Sequence, residues 1–355
     1  STTLTVKDSA FIGNYDSTSG GGAILAVNNE TAVFQNVKFI DNASKSAGMG
    51  GALNLTHGTV KIDDCTFQGN TSATSGGAVA FSEADVTVKD STFTGNCASS
   101  LMGGAIHIQG PSMPTSSAPY TPGNLDISGC TFRSNRAGYG GAISAANNVT
   151  LSLSDSTVSS NSADTSGGAI YTQGICTLNI STDLTSNEAG SIGGAIYSYQ
   201  GTITMDGDLT GNSAGGDGGA IYSIWSTVDL NGTVSGNSAT GNGGGIYTAA
   251  NEFDEAFDGK INLLDASVYN NTADKGGADI WQGSGNQMDL KEVGSDWVLK
   301  DDCDHAIDGW YDDSPDARWS AHEKPLHAVE FTDFDRGSTT VSGPTYLKAA
   351  HGLPP

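Results

Sequence analysis

A short phrase recurs through most of this chain: a Gly-Gly pair, a small residue and an aliphatic residue, followed further on by a second element that ends in asparagine. The first glycine of the pair recurs at Gly21, Gly50, Gly76, Gly103, Gly140, Gly167, Gly193, Gly218, Gly243 and Gly276. The asparagine recurs at Asn14, Asn42, Asn70, Asn96, Asn135, Asn161, Asn187, Asn212, Asn237 and Asn271. Most steps are 25 to 29 residues, a period typical of a solenoid of stacked turns.

The segments between these landmarks alternate apolar and polar residues with a period of two. In the second copy Leu53 and Leu55 lie on one side of a short strand, Val60 and Ile62 on one side of the next, and Phe67 follows a bend. Two short β-patterns and no helical periodicity in each repeat predict an all-β fold, a right-handed single-stranded parallel β-helix of about ten coils. Stacking the coils buries the apolar side that one repeat cannot bury alone.

The recurrent glycines and asparagines are expected to serve the fold. Glycine adopts a positive φ without steric cost, which the sharp turns of each coil require. The asparagine falls at one height in every coil, so its amide is predicted to donate to the amide on one side and accept from the amide on the other. We interpret this ladder as structural.

The paired motifs resemble a known repeat. Gly-Gly-Ala-Ile stands at 103–106, 167–170, 193–196 and 218–221, and Phe-x-x-Asn at 39–42, 67–70, 93–96 and 132–135. They are similar to the repeat of the chlamydial polymorphic outer-membrane proteins, although Val or Leu replaces Phe from the sixth copy onward. The resemblance implies a β-helical, surface-displayed and adhesive protein, extracellular at the bacterial cell surface.

The repeat predicts two regions: β-helix over 1–283, and a C-terminal cap and linker over 284–355, where the phrase no longer occurs. We interpret the chain as a fragment or mature form of a longer protein, because it opens within a coil. With 15 Lys and Arg against 39 Asp and Glu, the formal charge of −24 disfavours nucleic acid and anionic membranes as partners. The segment contains no membrane-inserting run.

The five cysteines form no disulfide framework. Cys65 and Cys130 hold equivalent slots, but two coil steps are about 10 Å, beyond disulfide reach. Free, half-buried thiols are expected instead. No Cys or His spacing matches a metal site, and no cofactor motif occurs, so neither metal nor cofactor is predicted.

The clearest functional pattern is an aromatic slot directly after the inward aliphatic residue of the Gly-Gly strand. The predicted ligand-binding residues in this outward slot are Tyr171, Tyr197, Tyr222, Tyr247 and Trp281. An exposed aromatic column can contact sugar rings or proteins at little entropic cost, and Tyr199 and Trp225 would widen it. The alternative is that stacked aromatics only stabilise the sheet.

The sequence therefore predicts a non-catalytic adhesin or ligand-binding stalk that recognises a host surface glycoprotein, a glycan or a matrix protein. Insertions at 110–123 and 251–258 would offer further binding loops. One alternative is a carbohydrate-active β-helix enzyme using carboxylates near one bend, such as Asp206, Asp208 and Asp229. The other is a spacer without a ligand.

Overall fold

The computed structural model describes residues 3–28, 30–111, 123–249, 259–263 and 266–282, together with five later strands. All regular structure in this part of the chain is β-strand. The chain divides into two compact units, residues 1–183 and 184–355. No helix that is long and apolar enough to cross a membrane occurs among the described residues.

The first unit contains strands β1 to β22. In chain order they are β1 (Thr3–Ile12), β2 (Tyr15–Asp16), β3 (Ile24–Val27), β4 (Thr31–Ile40), β5 (Ala43–Ser44), β6 (Leu53–Thr56), β7 (Thr59–Asp63), β8 (Thr66–Gln68), β9 (Thr71–Ser72), β10 (Val79–Ser82), β11 (Asp85–Lys89), β12 (Thr92–Thr94), β13 (Cys97–Ala98), β14 (Ile106–Gln109), β15 (Gly123–Ser128), β16 (Thr131–Arg133), β17 (Arg136–Tyr139), β18 (Ile143–Ala146), β19 (Val149–Ser154), β20 (Thr157–Ser159), β21 (Ser162–Ser166) and β22 (Ile170–Ser181).

The second unit contains strands β23 to β41. They are β23 (Leu184–Thr185), β24 (Glu188–Ala189), β25 (Ile196–Met205), β26 (Leu209–Thr210), β27 (Ser213–Ala214), β28 (Ile221–Ile224), β29 (Thr227–Leu230), β30 (Thr233–Ser235), β31 (Ser238–Ala239), β32 (Ile246–Ala249), β33 (Lys260–Leu263), β34 (Ser267–Tyr269), β35 (Thr272–Ala273), β36 (Ile280–Gln282), β37 (Gln287–Glu292), β38 (Ser295–Lys300), β39 (His305–Asp308), β40 (Glu330–Thr332) and β41 (Thr340–Ser342).

Within each unit, equivalent strands of successive turns pair in parallel and in register. The Gly-Gly strands of the first unit pair in the order β3, β6, β10, β14, β18 and β22, and those of the second unit in the order β25, β28, β32 and β36. The chain is thus a parallel β-solenoid, as predicted. It has about nine turns, because nine steps lead from the first Gly-Gly strand, β3, to the tenth, β36.

The core is a set of stacked columns. Phe11, Phe39, Phe67, Phe93 and Phe132 stack with ring centroids 4.6 to 5.2 Å apart and planes within 10°. Near-parallel rings at this distance contribute beyond the area they bury. In the second unit, aliphatic side chains occupy this slot: Leu184, Leu209, Val234 and Val268, all buried.

The predicted asparagine ladder is present and each of its amides links two turns. In the first unit, the backbone N–H of each asparagine donates to Oδ1 of the next at 3.0 Å, and Nδ2 donates to the same Oδ1 at 2.8 to 3.0 Å. Nδ2 also donates to the backbone carbonyl of the preceding turn, as from Asn70 to Phe39 at 2.9 Å. Every polar atom of such an amide is therefore paired, which burial requires.

In the second unit the ladder ends on a carboxylate. The N–H and Nδ2 of Asn271 donate to Oδ1 of Asp279 at 3.1 and 2.9 Å, and Asp279 is completely buried. Asp279 is an extra residue between Ala278 and Ile280, where other copies of the motif have the aliphatic residue next to the alanine. A one-residue insertion thus supplies the acceptor that the last asparagine needs.

The two glycines of the motif serve different purposes. Gly218 has φ +70°, and a Cβ there would lie 2.4 Å from the carbonyl oxygen of Ile221. A Cβ on Gly219 would lie 2.0 Å from the carbonyl oxygen of Gly244 in the next turn. The first glycine thus allows the chain to reverse, and the second allows neighbouring turns to approach.

Beyond β36 the pairing changes character. β37 pairs in parallel with β33 and antiparallel with β38, and β39 pairs antiparallel with β36. β40 and β41 add further antiparallel pairs. The rest of region 284–355 lies outside the described residues, so the cap and its boundary at 284 stay predictions.

Replacing a ladder asparagine should be far more destabilising than replacing an exposed one. In Asn70→Ala the buried N–H and Nδ2 of Asn42 lose their shared acceptor, which we expect to lower the free energy of unfolding by about 3 kcal/mol. Urea unfolding followed by circular dichroism measures the loss. Asn124→Ala removes only an exposed bond to Asp85 and should cost less than about 0.5 kcal/mol. An equal loss of unfolding free energy in both variants would contradict a special contribution of the ladder asparagines to stability.

Candidate functional site

The aromatic slot forms a continuous row in the second unit. Tyr197, Tyr222, Tyr247 and Trp281 follow the inward isoleucine of β25, β28, β32 and β36, and each is the register partner of the next. All four are half-buried. We call Tyr197, Tyr222 and Tyr247 the tyrosine column.

The tyrosine column is stacked face to face. The Tyr197 and Tyr222 ring centroids are 5.7 Å apart with planes at 6°, and those of Tyr222 and Tyr247 are 4.7 Å apart at 5°. Both faces of the Tyr222 ring are therefore covered by other tyrosines. The part of Tyr222 that remains for solvent is its ring edge and phenol hydroxyl.

The central hydroxyl keeps its proton. Burial raises the pKa of Tyr222 well above its usual value, and the nearby Tyr247, Asp217 and Tyr197 add to the shift. The hydroxyl of Tyr222 makes no hydrogen bond within the described residues, whereas Asp217 accepts one from the backbone N–H of Asn242 at 2.6 Å. Tyr222 therefore offers a neutral hydroxyl near the negative charge of Asp217.

The prediction of an exposed column was wrong for Tyr171. This residue, in the first unit, is only 8% exposed. The ring of Tyr139 lies 5.2 Å from its ring, and its hydroxyl donates to Oε1 of Gln173 at 3.3 Å. The Gly-Gly turn also folds back beside the slot, since a Cβ on Gly140 would lie 3.1 Å from the Cβ of Tyr171.

The same slot is also buried in three other turns of the first unit, where it holds alanine, histidine and serine, whereas Leu25 in this slot is exposed and Asn54 is half-buried. Ala80, His107 and Ser144 are at most 3% exposed. Nδ1 of His107 lies 2.8 Å from the hydroxyl of Ser144, and burial lowers the pKa of the imidazole to about 4. His107 is thus a neutral packing residue at physiological pH.

Tyr199 and Trp225 form a second aromatic contact in the second unit. Their ring centroids are 4.9 Å apart and their planes are tilted by 45°. Trp225 has φ +53°, and its Nε1 is buried without a hydrogen-bond partner among the described residues. A bulky residue in the left-handed region is strained, by about 1 to 3 kcal/mol.

The carboxylates of the enzyme alternative link adjacent turns. Asp206 accepts from Nδ2 of Asn231 at 2.6 Å, and Asp208 accepts from the backbone N–H of Thr233 at 2.8 Å. Asp229 accepts from Nδ2 of Asn262. Each of these three carboxylates thus accepts a hydrogen bond from a residue of the following turn.

Other predicted features fall into three groups. Arg136 forms a surface ion pair with Asp164, with a guanidinium nitrogen 2.7 Å from a carboxylate oxygen. No group of three His, Cys, Asp or Glu residues suited to a metal ion occurs in the described part of the chain. Three predicted features lie outside the described residues: most of the insertion at 110–123, the whole insertion at 251–258, and Cys303 with its neighbouring aspartates.

Cys65 and Cys130 belong to a second polar ladder that the sequence analysis did not predict. In the first unit the backbone N–H of Cys65 donates to Oγ of Ser91, that of Ser91 to Sγ of Cys130, and that of Cys130 to Oγ of Ser156 at 3.0, 3.5 and 3.0 Å. The signal was the presence of Ser at the slots between the cysteines. Cys65, Cys97, Cys130 and Cys176 are free, as expected, but only Cys97 is half-buried and the others are buried.

Comparison with known proteins agrees with this geometry. Residues 1–188 match the model of the right-handed beta helix region, which is more than half of the chain. The chain belongs to the right-handed beta-helix family. Residues 207–224 and 231–249 match the Chlamydia polymorphic membrane protein repeat, which confirms the resemblance and favours a bacterial surface location. No curated protein and no solved structure matches the chain significantly.

The burial of His107 predicts a pH-dependent stability. The pKa of His107 in the folded chain, about 4, lies below its ordinary value of 6.5, so between these pH values the unfolded chain binds a proton that the folded chain does not. The free energy of unfolding therefore decreases as the pH is lowered from 6.5 toward 4. Between pH 6.5 and 4.5 the loss should be roughly 2 to 3 kcal/mol. His107→Asn, which retains a polar partner for Ser144, should lose less over the same range. Urea unfolding at both pH values measures this, and identical pH slopes would refute it.

The thiols should differ sharply in reactivity. Burial raises the pKa of Cys130 from 9.0 to about 11 and also raises those of Cys65 and Cys176. The thiolate is the nucleophile, so alkylation of Cys130 at pH 8 should be at least about a hundredfold slower than that of a free thiol. Iodoacetamide labelling mapped by peptide mass spectrometry should find Cys97 modified before these three. Early labelling of Cys130 would contradict its burial.

Proposed function

We propose that this protein is a bacterial cell-surface adhesin or ligand-binding stalk, which recognises a host surface glycoprotein, a glycan or a matrix protein without catalysis. The observation that carries the proposal is the tyrosine column, three half-buried rings held in register and stacked face to face. Tyrosines presented by a rigid scaffold contact ligands with little loss of conformational entropy. Trp281 extends the row by one turn.

The repeat supports this role from a second direction. Polymorphic membrane protein repeats match within the same stretch of chain that carries Tyr222 and Tyr247. The net charge of −24 suits an extended surface protein and leaves neutral or basic partners favoured. Asp206, Asp208 and Asp229 have structural partners in the next turn, so no specific observation favours the hydrolytic alternative over binding.

Binding and turnover measured together test the proposal. The protein and a Tyr197→Ser/Tyr222→Ser variant are incubated with immobilised glycans, host glycoproteins and matrix proteins, while released sugar is assayed. Serine is chosen because Ser144 occupies the same slot in the first unit. We expect saturable binding that the variant loses by at least about tenfold, since interface tyrosines commonly contribute more than 1 kcal/mol.

The control is Tyr15→Ser, which removes an exposed tyrosine that belongs to the first unit and is 57% exposed. Binding by this control should match that of the unmodified protein. Sugar release would instead support the enzyme, and absence of both binding and release would support the spacer.

A further inference from the structure

The stacking of the tyrosine column restricts how a ligand can lie on it. A sugar ring that packs on an aromatic face needs that face free, yet both faces of Tyr222 are occupied by Tyr197 and Tyr247. Contacts at Tyr222 must therefore come from the ring edge and the hydroxyl. The hydroxyl makes no hydrogen bond within the described residues, so it is available to donate and accept.

The spacing of the hydroxyl row also restricts the ligand. Tyr197, Tyr222 and Tyr247 follow one another at equal steps of 25 residues, and their rings repeat every 4.7 to 5.7 Å. This distance is close to the length of one sugar residue in an extended β-linked chain. An extended peptide along the same line presents equivalent groups every two residues, or about 6.8 Å, and would fall out of register within three turns.

Charge further restricts the class of ligand that the tyrosine column can bind. Asp217 lies close enough to Tyr222 to raise the pKa of its hydroxyl, and the chain carries a formal charge of −24. A sulfated or carboxylated polymer would be repelled by both the local and the total charge. Neutral sugar hydroxyls pair with neutral phenols without this repulsion.

We infer that the tyrosine column binds a neutral, linear, β-linked glycan that lies parallel to the column, one sugar residue per turn, through ring edges and hydroxyls rather than through ring faces. This inference rests on the proposed binding role of the column. It replaces the face-stacking contact expected from the sequence, and it assigns to each tyrosine hydroxyl an equivalent contact.

Length dependence is the first test. Cello-, manno- and chito-oligosaccharides of one to six residues are titrated calorimetrically against the unmodified protein. For at least one series we expect affinity to rise about fivefold with each residue, the equivalent of one net hydrogen bond of about 1 kcal/mol, up to three or four residues. It should then level off, because the row ends at Trp281. A monosaccharide that binds as tightly as its hexamer, or no binding in any series, would overturn the inference.

The second test removes the tyrosine hydroxyls and keeps the aromatic rings. Tyr197→Phe, Tyr222→Phe and Tyr247→Phe keep the stacked rings, and circular dichroism checks that each variant remains folded. Each variant should weaken binding of the longest oligosaccharide about fivefold. Tyr15→Phe, outside the column, is the matched control and should bind normally. Full affinity in the three column variants would mean that the hydroxyls do not contact the ligand.

The two proposals fail in distinguishable ways. If enzymatically deglycosylated host proteins bind as well as untreated ones and binding still requires the column, the adhesin proposal stands and the glycan inference is wrong. If anionic polysaccharides bind more tightly than neutral ones, the charge argument fails. If neither proteins nor glycans bind, both proposals fall.

Discussion

Hydrogen bonding between turns is the interaction on which the rest of this structure depends. No turn contains a core of its own, because its strands are two to six residues long except where they merge and its apolar side chains become buried only against the next turn. Within each unit, the asparagine ladder and the parallel strands hold successive turns in register. The buried amide of Asn70 donates twice through Nδ2 and accepts twice through Oδ1, so burial leaves none of its polar atoms unpaired. Asp279 shows the consequence at one end, where the last amide is satisfied by a carboxylate from an inserted residue.

The fixed spacing has opposite effects inside and outside the solenoid. In the core of the first unit it stacks Phe39, Phe67 and Phe93 in a fully buried column. On the outer surface of the second unit the same spacing stacks Tyr197, Tyr222 and Tyr247. The stacking covers ring faces that a sugar would otherwise contact. The repeat that makes an aromatic row possible also determines which part of each ring remains for recognition.

Most of the fold could be predicted from the sequence because it is encoded locally and repeatedly. The inward positions Leu53, Val60 and Phe67 follow from alternation, and the ladder follows from one asparagine per period. The burial of Tyr171 could not be predicted, because it depends on how the Gly-Gly turn folds back and on Tyr139 from another strand. The left-handed conformation of Trp225 was likewise hidden, since nothing in its own sequence context requires it.

The outward slot of the Gly-Gly strand shows how such a solenoid can change its surface without changing its backbone. In the first unit the slot accepts Ala80, His107 and Ser144 under the turn, and the strands remain in register. In the second unit it accepts tyrosines, again in register. The ladder and the core determine the backbone geometry of the solenoid, and the outward slot contributes little to it. The residue in this slot can therefore vary according to function. A run of identical aromatic residues is then more than the fold requires, and that excess is the strongest physical reason to regard the tyrosine column as a binding surface.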